Sequence, residues 1–168
     1  MPTRSQRRLT IGLSVVYIIM LTWLILFKFV TNFKDLPQLR SINLVPFRES
    51  VIVNGRIDFD EIIYNILVFV PMGIFVCILK PNWTFIQKVL PEFIFSLIFE
   101  VLQYIFAIGA SDITDVIGNT LGGVIGIGAF AVIEKMAKDK TIKIINILAL
   151  ICFILMSLLL IILTVANM

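Results

Sequence analysis

Three carboxylates and three side-chain amides stand in or beside apolar stretches of this sequence, where polar groups are costly. They are Asn65, Glu100, Gln103, Asp112, Asp115 and Asn119. A carboxylate that faces lipid costs at least ~2.5 to 3.5 kcal/mol, so Glu100, in the middle of an apolar run, needs compensation from within the protein. Carboxylates and amides together can transfer protons, hold a metal ion or bind a polar head group. We therefore predict that these six residues form a polar pocket.

The composition indicates that membrane-spanning helices position these residues. Hydrophobic residues make up 60% of the chain and charged residues only 15%, and the mean hydropathy is +1.05. Because a hydrocarbon core of about 30 Å needs roughly 17 to 25 apolar helical residues per crossing, we predict a single all-α domain, residues 1–168, forming a polytopic bundle of about five transmembrane helices. The predicted spans are residues 9–27, 62–79, 89–108, 116–133 and 144–166.

The positive charges predict an orientation, since lysine and arginine are retained on the cytoplasmic side of short loops. With the N-terminus in the cytoplasm, nine of the 14 basic residues fall in cytoplasmic segments and five in the first outer loop. We therefore expect a cytoplasmic N-terminus and, after an odd number of crossings, an external C-terminus. The first apolar run follows a basic start but is too long for a usual signal peptide, so we interpret it as an uncleaved anchor.

A loop of about residues 28–61 joins the first two spans and is too short to bury a core of its own. In this loop Asn54-Gly55 stands between two β-favouring runs. That dipeptide is typical of a tight type I′ turn, because both of its positions tolerate positive φ. We predict a small hairpin on the outer side of the membrane.

Glycines recur every four residues along the fourth predicted span, at Gly118, Gly122 and Gly126. Small residues at this spacing let another helix approach closely, which is the main route to packing inside a lipid bilayer. We favour this packing role over a role in cradling a ligand.

The polar residues also have structural explanations. The three amides can simply form hydrogen bonds between helices, each contributing ~0.6 kcal/mol. Asp112 and Asp115 suit a helix N-terminus, where Asp112 can cap the helix and negative charge is favourable. Glu100 is harder to explain in this way, because it must be neutral, hydrated or paired with a cation such as Arg48 or Arg56.

In their order and spacing these residues resemble the VanZ-like family. The resemblance rests on segments 43–47, 65–73, 100–103 and 112–126. It implies a small polytopic bacterial membrane protein, and the founding member of the family confers low-level resistance to the glycopeptide teicoplanin. The six polar residues named above match polar positions that recur in the family. Many members also carry an arginine shortly before the first aspartate of the last segment, whereas residues 108–111 contain none.

Two functions fit these observations. In the first, the protein contributes to resistance to glycopeptides or cell-envelope stress by binding a membrane lipid, a lipid-linked cell-wall precursor or a lipoglycopeptide in an outward-facing polar pocket. In the second, it is a membrane enzyme that modifies a lipid-linked envelope substrate, with carboxylates as acid, base or metal ligand. We expect no nucleic-acid partner.

The enzyme hypothesis ranks second because no established catalytic constellation is present. The chain contains no histidine, no Ser–His or Cys–His arrangement and no phosphate-binding loop, so we assign neither a metal site nor a cofactor. Proton-coupled transport ranks last. It requires carboxylates along a path across the membrane, and the sequence shows no buried partner for Glu100 in the inner half.

Overall fold

A computed structural model describes residues 3–27, 39–47, 52–53, 56–57 and 59–166. Its helices and strands follow in the order α1 Arg4–Phe27, β1 Leu39–Asn43, β2 Ile52–Val53, β3 Arg56–Ile57, α2 Asp60–Leu79, α3 Phe85–Phe106, β4 Ile108–Asp112, α4 Ile113–Ala137 and α5 Thr141–Ala166. Residues Lys138–Lys140 form a single 3₁₀ turn between the last two helices.

Within the described residues, four helical segments are long and apolar enough to cross a membrane. They are Arg4–Phe27, Asp60–Leu79, Phe85–Phe106 and Ile113–Leu158. The predicted helical membrane bundle is confirmed, but the number of candidate spans is four and not about five. The difference arises because the charged segment between the last two predicted spans is helical, so that α4, the 3₁₀ turn and α5 follow one another without a gap.

The last helical run folds back on itself. A straight helix of 46 residues would measure about 69 Å, more than twice the thickness of a hydrocarbon core. Lys138 interrupts the run with a positive φ of 50°. Beyond it α5 lies beside the start of α1, where the Thr10 hydroxyl donates to Asn146 Oδ1 at 2.9 Å and Asn146 Nδ2 donates to the Gln6 carbonyl at 3.3 Å. The helices α1 and α5 therefore begin at the same end of the bundle.

The two ends of the bundle differ in character. At one end Arg7, Lys80 and Lys138 line a cavity of about 1050 Å³, and we call this the basic end. At the opposite end β1 and β4 pair in parallel, and we call this the strand end. The helices α1, α3 and α5 run from the basic end towards the strand end, while α2 and α4 run the other way.

The helices α2 and α4 pack with almost no side chain between them. A Cβ atom at Gly122 would overlap the carbonyl oxygen of Ile66, and one at Gly126 would overlap that of Val70. At Gly118 a Cβ atom would lie 3.5 Å from Cβ of Asn65. The glycine face of α4 therefore lies against the backbone of α2, which maximises van der Waals contact where lipid supplies no hydrophobic driving force.

An apolar core fills the space between α1, α2 and α3. Phe69 of α2 is completely buried, and its ring meets that of Phe99 of α3 edge to face, with 6.4 Å between ring centroids. From α1, Tyr17 joins this core and donates its hydroxyl to the Val68 carbonyl at 2.7 Å. Buried tyrosines usually satisfy their hydroxyl in this way.

Strand pairing occurs both where it was predicted and where it was not. Strands β2 and β3 pair antiparallel, as the hairpin prediction requires, while Asn54 and Gly55 themselves lie outside the described residues. The parallel pair of β1 and β4 was not predicted, since its first strand fell in the outer loop and Ile108 was assigned to the third span. That helix ends earlier, at Phe106, because Ala107 adopts a left-handed conformation with φ of 55°.

Substituting the glycines tests the packing of α2 against α4. We expect Gly122→Ala to lower the free energy of unfolding by about 1 to 3 kcal/mol, because the added methyl group overlaps a backbone oxygen that cannot move away easily. Gly128→Ala is the matched control, since nothing lies within 4 Å of its Cβ position. That variant should be unchanged or more stable by up to about 1 kcal/mol. Unfolding by SDS in mixed micelles measures both, and equal effects would contradict this account of the packing.

Candidate functional site

The parallel strand pair brings Asn43 next to Asp112. The two residues are partners in register at the last positions of β1 and β4. Asn43 Nδ2 donates to Asp112 Oδ2 at 3.0 Å, while Asn43 Oδ1 accepts from the Val45 N–H at 3.1 Å. Both ends of this buried amide are therefore satisfied. Asn43 was absent from the predicted site, although it opens one of the four segments that carried the family resemblance.

Asp112 links β4, α4 and α3. It caps α4, because its Oδ1 accepts from the Thr114 N–H at 2.7 Å. Its own backbone N–H donates to Glu100 Oε2 at 2.8 Å. We call the three buried side chains Asn43, Glu100 and Asp112 the strand-end cluster. Asp112 has an extended backbone and precedes the helix, as its interpretation as a helix cap requires.

A second polar pair joins α2 to α4 close to this cluster. Asn65 Nδ2 donates to Asp115 Oδ1 at 2.7 Å. Asn65 is buried, whereas Asp115, in the first turn of α4, is only half-buried. The approach of Gly118 to Asn65 brings the two helices close enough for this bond. The pair therefore places a carboxylate near the surface at the strand end.

The other two predicted amides bind elsewhere. Gln103 Nε2 donates to the Ile25 carbonyl of α1 at 3.1 Å, and Asn119 Nδ2 donates to Ser96 Oγ of α3 at 2.8 Å. The oxygens of both amides are buried and have no hydrogen-bond partner among the described residues. The structure thus joins Glu100 to Asp112 and Asn65 to Asp115, while Gln103 and Asn119 each bond to a residue outside the predicted set.

Glu92 is a completely buried carboxylate that was missed as a site residue. It lies within the third predicted span, residues 89–108, but not among the six predicted site residues. However, α3 begins at Phe85, where Thr84 and Gln87 form a reciprocal capping box, so Glu92 lies two turns inside the helix. A signal was available, because Glu92 precedes Ser96 by four residues and Glu100 by eight, which places all three on one helix face. No buried partner for Glu100 was expected in the inner half; Glu92 is a buried acid two turns before Glu100 on the same helix.

The cations proposed to pair with Glu100 lie outside the described part of the structure. They are Arg48 and the side chain of Arg56. At the same end Arg40 Nη2 donates to the Ile105 carbonyl at 3.3 Å, which satisfies an acceptor in the last turn of α3. Within the described ranges, no three His, Cys, Asp or Glu side chains are grouped so as to hold a metal ion.

Two comparisons with known proteins point to the same family. Residues 14–134 match the sequence model of the VanZ/LLP1 family. A relative from Enterococcus faecium, Protein VanZ, is 37% identical over 131 residues, which cover 77% of this chain and 78% of that protein. No solved structure matches the chain significantly. The family match includes all six predicted polar residues together with Asn43 and Glu92, and it ends before α5 begins.

The contact between Glu100 and the Asp112 backbone predicts how two substitutions will differ. Glu100→Ala removes the acceptor of a buried N–H, so we expect a loss of about 1 to 3 kcal/mol in the free energy of unfolding. Glu100→Gln keeps an oxygen acceptor of the same shape and should lose less. Unfolding of the purified protein in mixed micelles gives both values. Equal losses would show that this hydrogen bond does not support the strand end.

Proposed function

Because this chain belongs to the VanZ/LLP1 family, we propose that it contributes to resistance against glycopeptides such as teicoplanin, or against cell-envelope stress, by binding a lipid-like ligand at the strand end. The chemical class is a polar head group joined to an apolar tail. A membrane lipid, a lipid-linked cell-wall precursor and a lipoglycopeptide all have this character. The bundle is that of a bacterial membrane protein, with apolar helices of spanning length.

The proposal includes an orientation, with the strand end outside the cell. The opposite end carries Arg7, Lys80 and Lys138 around one cavity, and basic residues in short segments are retained in the cytoplasm. This orientation places the N-terminus inside. Since α5 runs in the same direction as α1, its C-terminus would lie outside.

An exposed apolar loop next to polar groups is the observation that carries the proposal. Leu44 is 73% exposed and Phe47 is 51% exposed, although both are large hydrophobic residues. The loop is tied to α4 because the Phe47 N–H donates to Thr114 Oγ1 at 3.0 Å. Phe47 also has a positive φ of 63°, which is rare for an aromatic residue and is found most often at functional sites.

The polar half of the site would come from groups that water can still reach. Asp115 and Ser111 are half-buried beside this loop, in contrast to the buried strand-end cluster behind them. A head group that carries hydroxyl, amide or amine donors could bond to Asp115, while its tail lies against the apolar loop and the lipid. Affinity would then depend more on apolar contact than on charge.

The alternative of a membrane enzyme has less support. Glu100 and Asp112 both accept hydrogen bonds from backbone N–H groups of β4 and α4. These bonds give both carboxylates a structural role, because each holds a backbone N–H at the strand end. We therefore favour binding over catalysis at this end of the bundle.

Replacing an exposed loop residue tests the binding proposal without disturbing the core. We expect Leu44→Ser to reduce the gain in teicoplanin resistance several-fold in a susceptible host, because it removes apolar contact from the ligand at ~25 cal/mol per Å². Met136→Ser is the matched control, being 80% exposed at the basic end. Equal resistance from wild type and both variants, at equal expression, would rule out the loop as a contact surface.

Native mass spectrometry of the same proteins provides a direct readout. Wild-type protein and the Met136→Ser variant should retain a co-purified lipid-like molecule after extraction in mild detergent, and Leu44→Ser should retain less. Loss of resistance with unchanged retention would separate the phenotype from binding and would contradict the proposal.

A further inference from the structure

The carboxylate of Glu92 is buried in the basic-end half of α3 without a hydrogen bond. Its exposure is 0%, and neither oxygen has a partner among the described residues. Its side chain packs on Gly123 of α4, where a Cβ atom would lie 2.7 Å from Cδ of Glu92. Burying a carboxylate without a partner is strongly unfavourable, and an ionisable residue that faces the interior of a membrane bundle usually serves a function.

A second unsatisfied group lies one helical turn further towards the strand end. Ser96 follows Glu92 by one turn on α3, and Asn119 precedes Gly123 by one turn on α4. Ser96 and Asn119 are bonded to each other and are buried to 0% and 1% exposure. Whichever way the Asn119 amide is turned, one of its two polar ends lacks a partner there. The interface of α3 with α4 thus holds two adjacent layers of buried polar groups.

The lining of the cavity at the basic end reaches Cys77 of α2, one turn beyond Gly73, and Gly73 packs on the Gly123 backbone against which Glu92 rests. On α2 and α1, the ionisable side chains within electrostatic range of Glu92 are Cys77 and Tyr17. On α3 itself Lys88 lies one turn nearer the basic end and is half-buried. On α4 the ionisable residues to either side of Gly123 are the half-buried Asp115, eight residues before it, and the exposed Glu134, eleven residues after it. Glu92 therefore lies about one turn deeper in the bundle than the lining of the cavity.

We propose that Glu92 is an intramembrane proton-binding site that exchanges its proton with the cavity at the basic end. A hydronium ion in the cavity transfers a proton to a carboxylate oxygen, which forms the carboxylic acid and leaves one water molecule, and release is the reverse. Ser96 and Asn119 extend the site as hydrogen-bonding groups. The inference concerns a different end of the bundle from the proposed ligand site and does not depend on it.

A proton satisfies the site better than a metal cation does. One carboxylate and one amide are few oxygen ligands for a sodium ion, and Glu92 packs directly against the backbone of α4. A proton needs a single acceptor oxygen and no coordination shell. Once protonated, the carboxyl group gains a donor that can bond to a neighbouring oxygen or to water from the cavity.

Infrared spectroscopy tests this inference on the full-length protein in detergent or lipid. We expect wild-type protein at neutral pH to show the C=O band of a protonated carboxyl group, and this band should shift when the solvent is changed from H₂O to D₂O. Glu92→Gln should abolish the band. The matched control Glu134→Gln removes an exposed glutamate by the same chemical change and should leave the band in place.

A second variant covers the case in which Glu92→Gln fails to fold. Asn119→Ala should retain the band but move its frequency, because it removes a polar neighbour in the adjacent layer. A wild-type band that does not respond to D₂O would mean a sealed, structural acid and would overturn the proposal. The absence of any such band would also overturn it. A third contrary result would be a wild-type melting temperature that is higher in NaCl than in choline chloride, with no such difference in Glu92→Gln, because this would assign the site to sodium.

Discussion

The close contact between α2 and α4 is the constraint on which the rest of this structure depends. Inside lipid, apolar surface gains nothing by being buried against other apolar surface, so helices associate through close van der Waals contact and hydrogen bonds. Glycines on α4 let its backbone touch the carbonyl oxygens of Ile66 and Val70. This contact fixes the rotation of α4, and the rotation places Asp115 against Asn65 on α2 and Asn119 against Ser96 on α3.

The irregular backbone at the strand end creates a second requirement. Between α3 and α4 the chain leaves the helical conformation, and in or near a membrane its freed N–H and C=O groups must find partners within the protein. Strand pairing with β1 satisfies some of them, Glu100 accepts the Asp112 N–H, and Asp112 caps the next helix. Glu100 and Asp112, which the sequence suggested as chemically active groups, thus also stabilise the connection between α3 and α4.

The sequence predicted the parts of the structure that local pattern controls. The length of the apolar stretches predicted the helices, and the Asn54-Gly55 dipeptide predicted the pairing of β2 with β3. It could not predict the pairing of β1 with β4, because no local pattern links two segments that lie 69 positions apart in register. Glu92 was missed for a different reason. Its helix starts earlier than hydropathy suggests, since the capping box at Thr84 lies outside the apolar run.

The polar groups at the strand end have hydrogen-bond partners, whereas Glu92 and Asn119 have oxygens without one in the described part of the chain. This difference determines what each region can bind. At the strand end the bonds of Asn43, Asp112 and Asn65 are already made, so a ligand that replaced one would gain little, since such bonds contribute about 0.5 to 1.5 kcal/mol net. The proposed recognition of a lipid-like ligand there would therefore rely on apolar contact with the loop. At Glu92 and Asn119 acceptor capacity is unused, so a proton binds without breaking any bond. Since Asp112 caps α4 and Gly123 lies about three turns further along that helix, a ligand that displaces the start of α4 would also move the surface on which Glu92 rests.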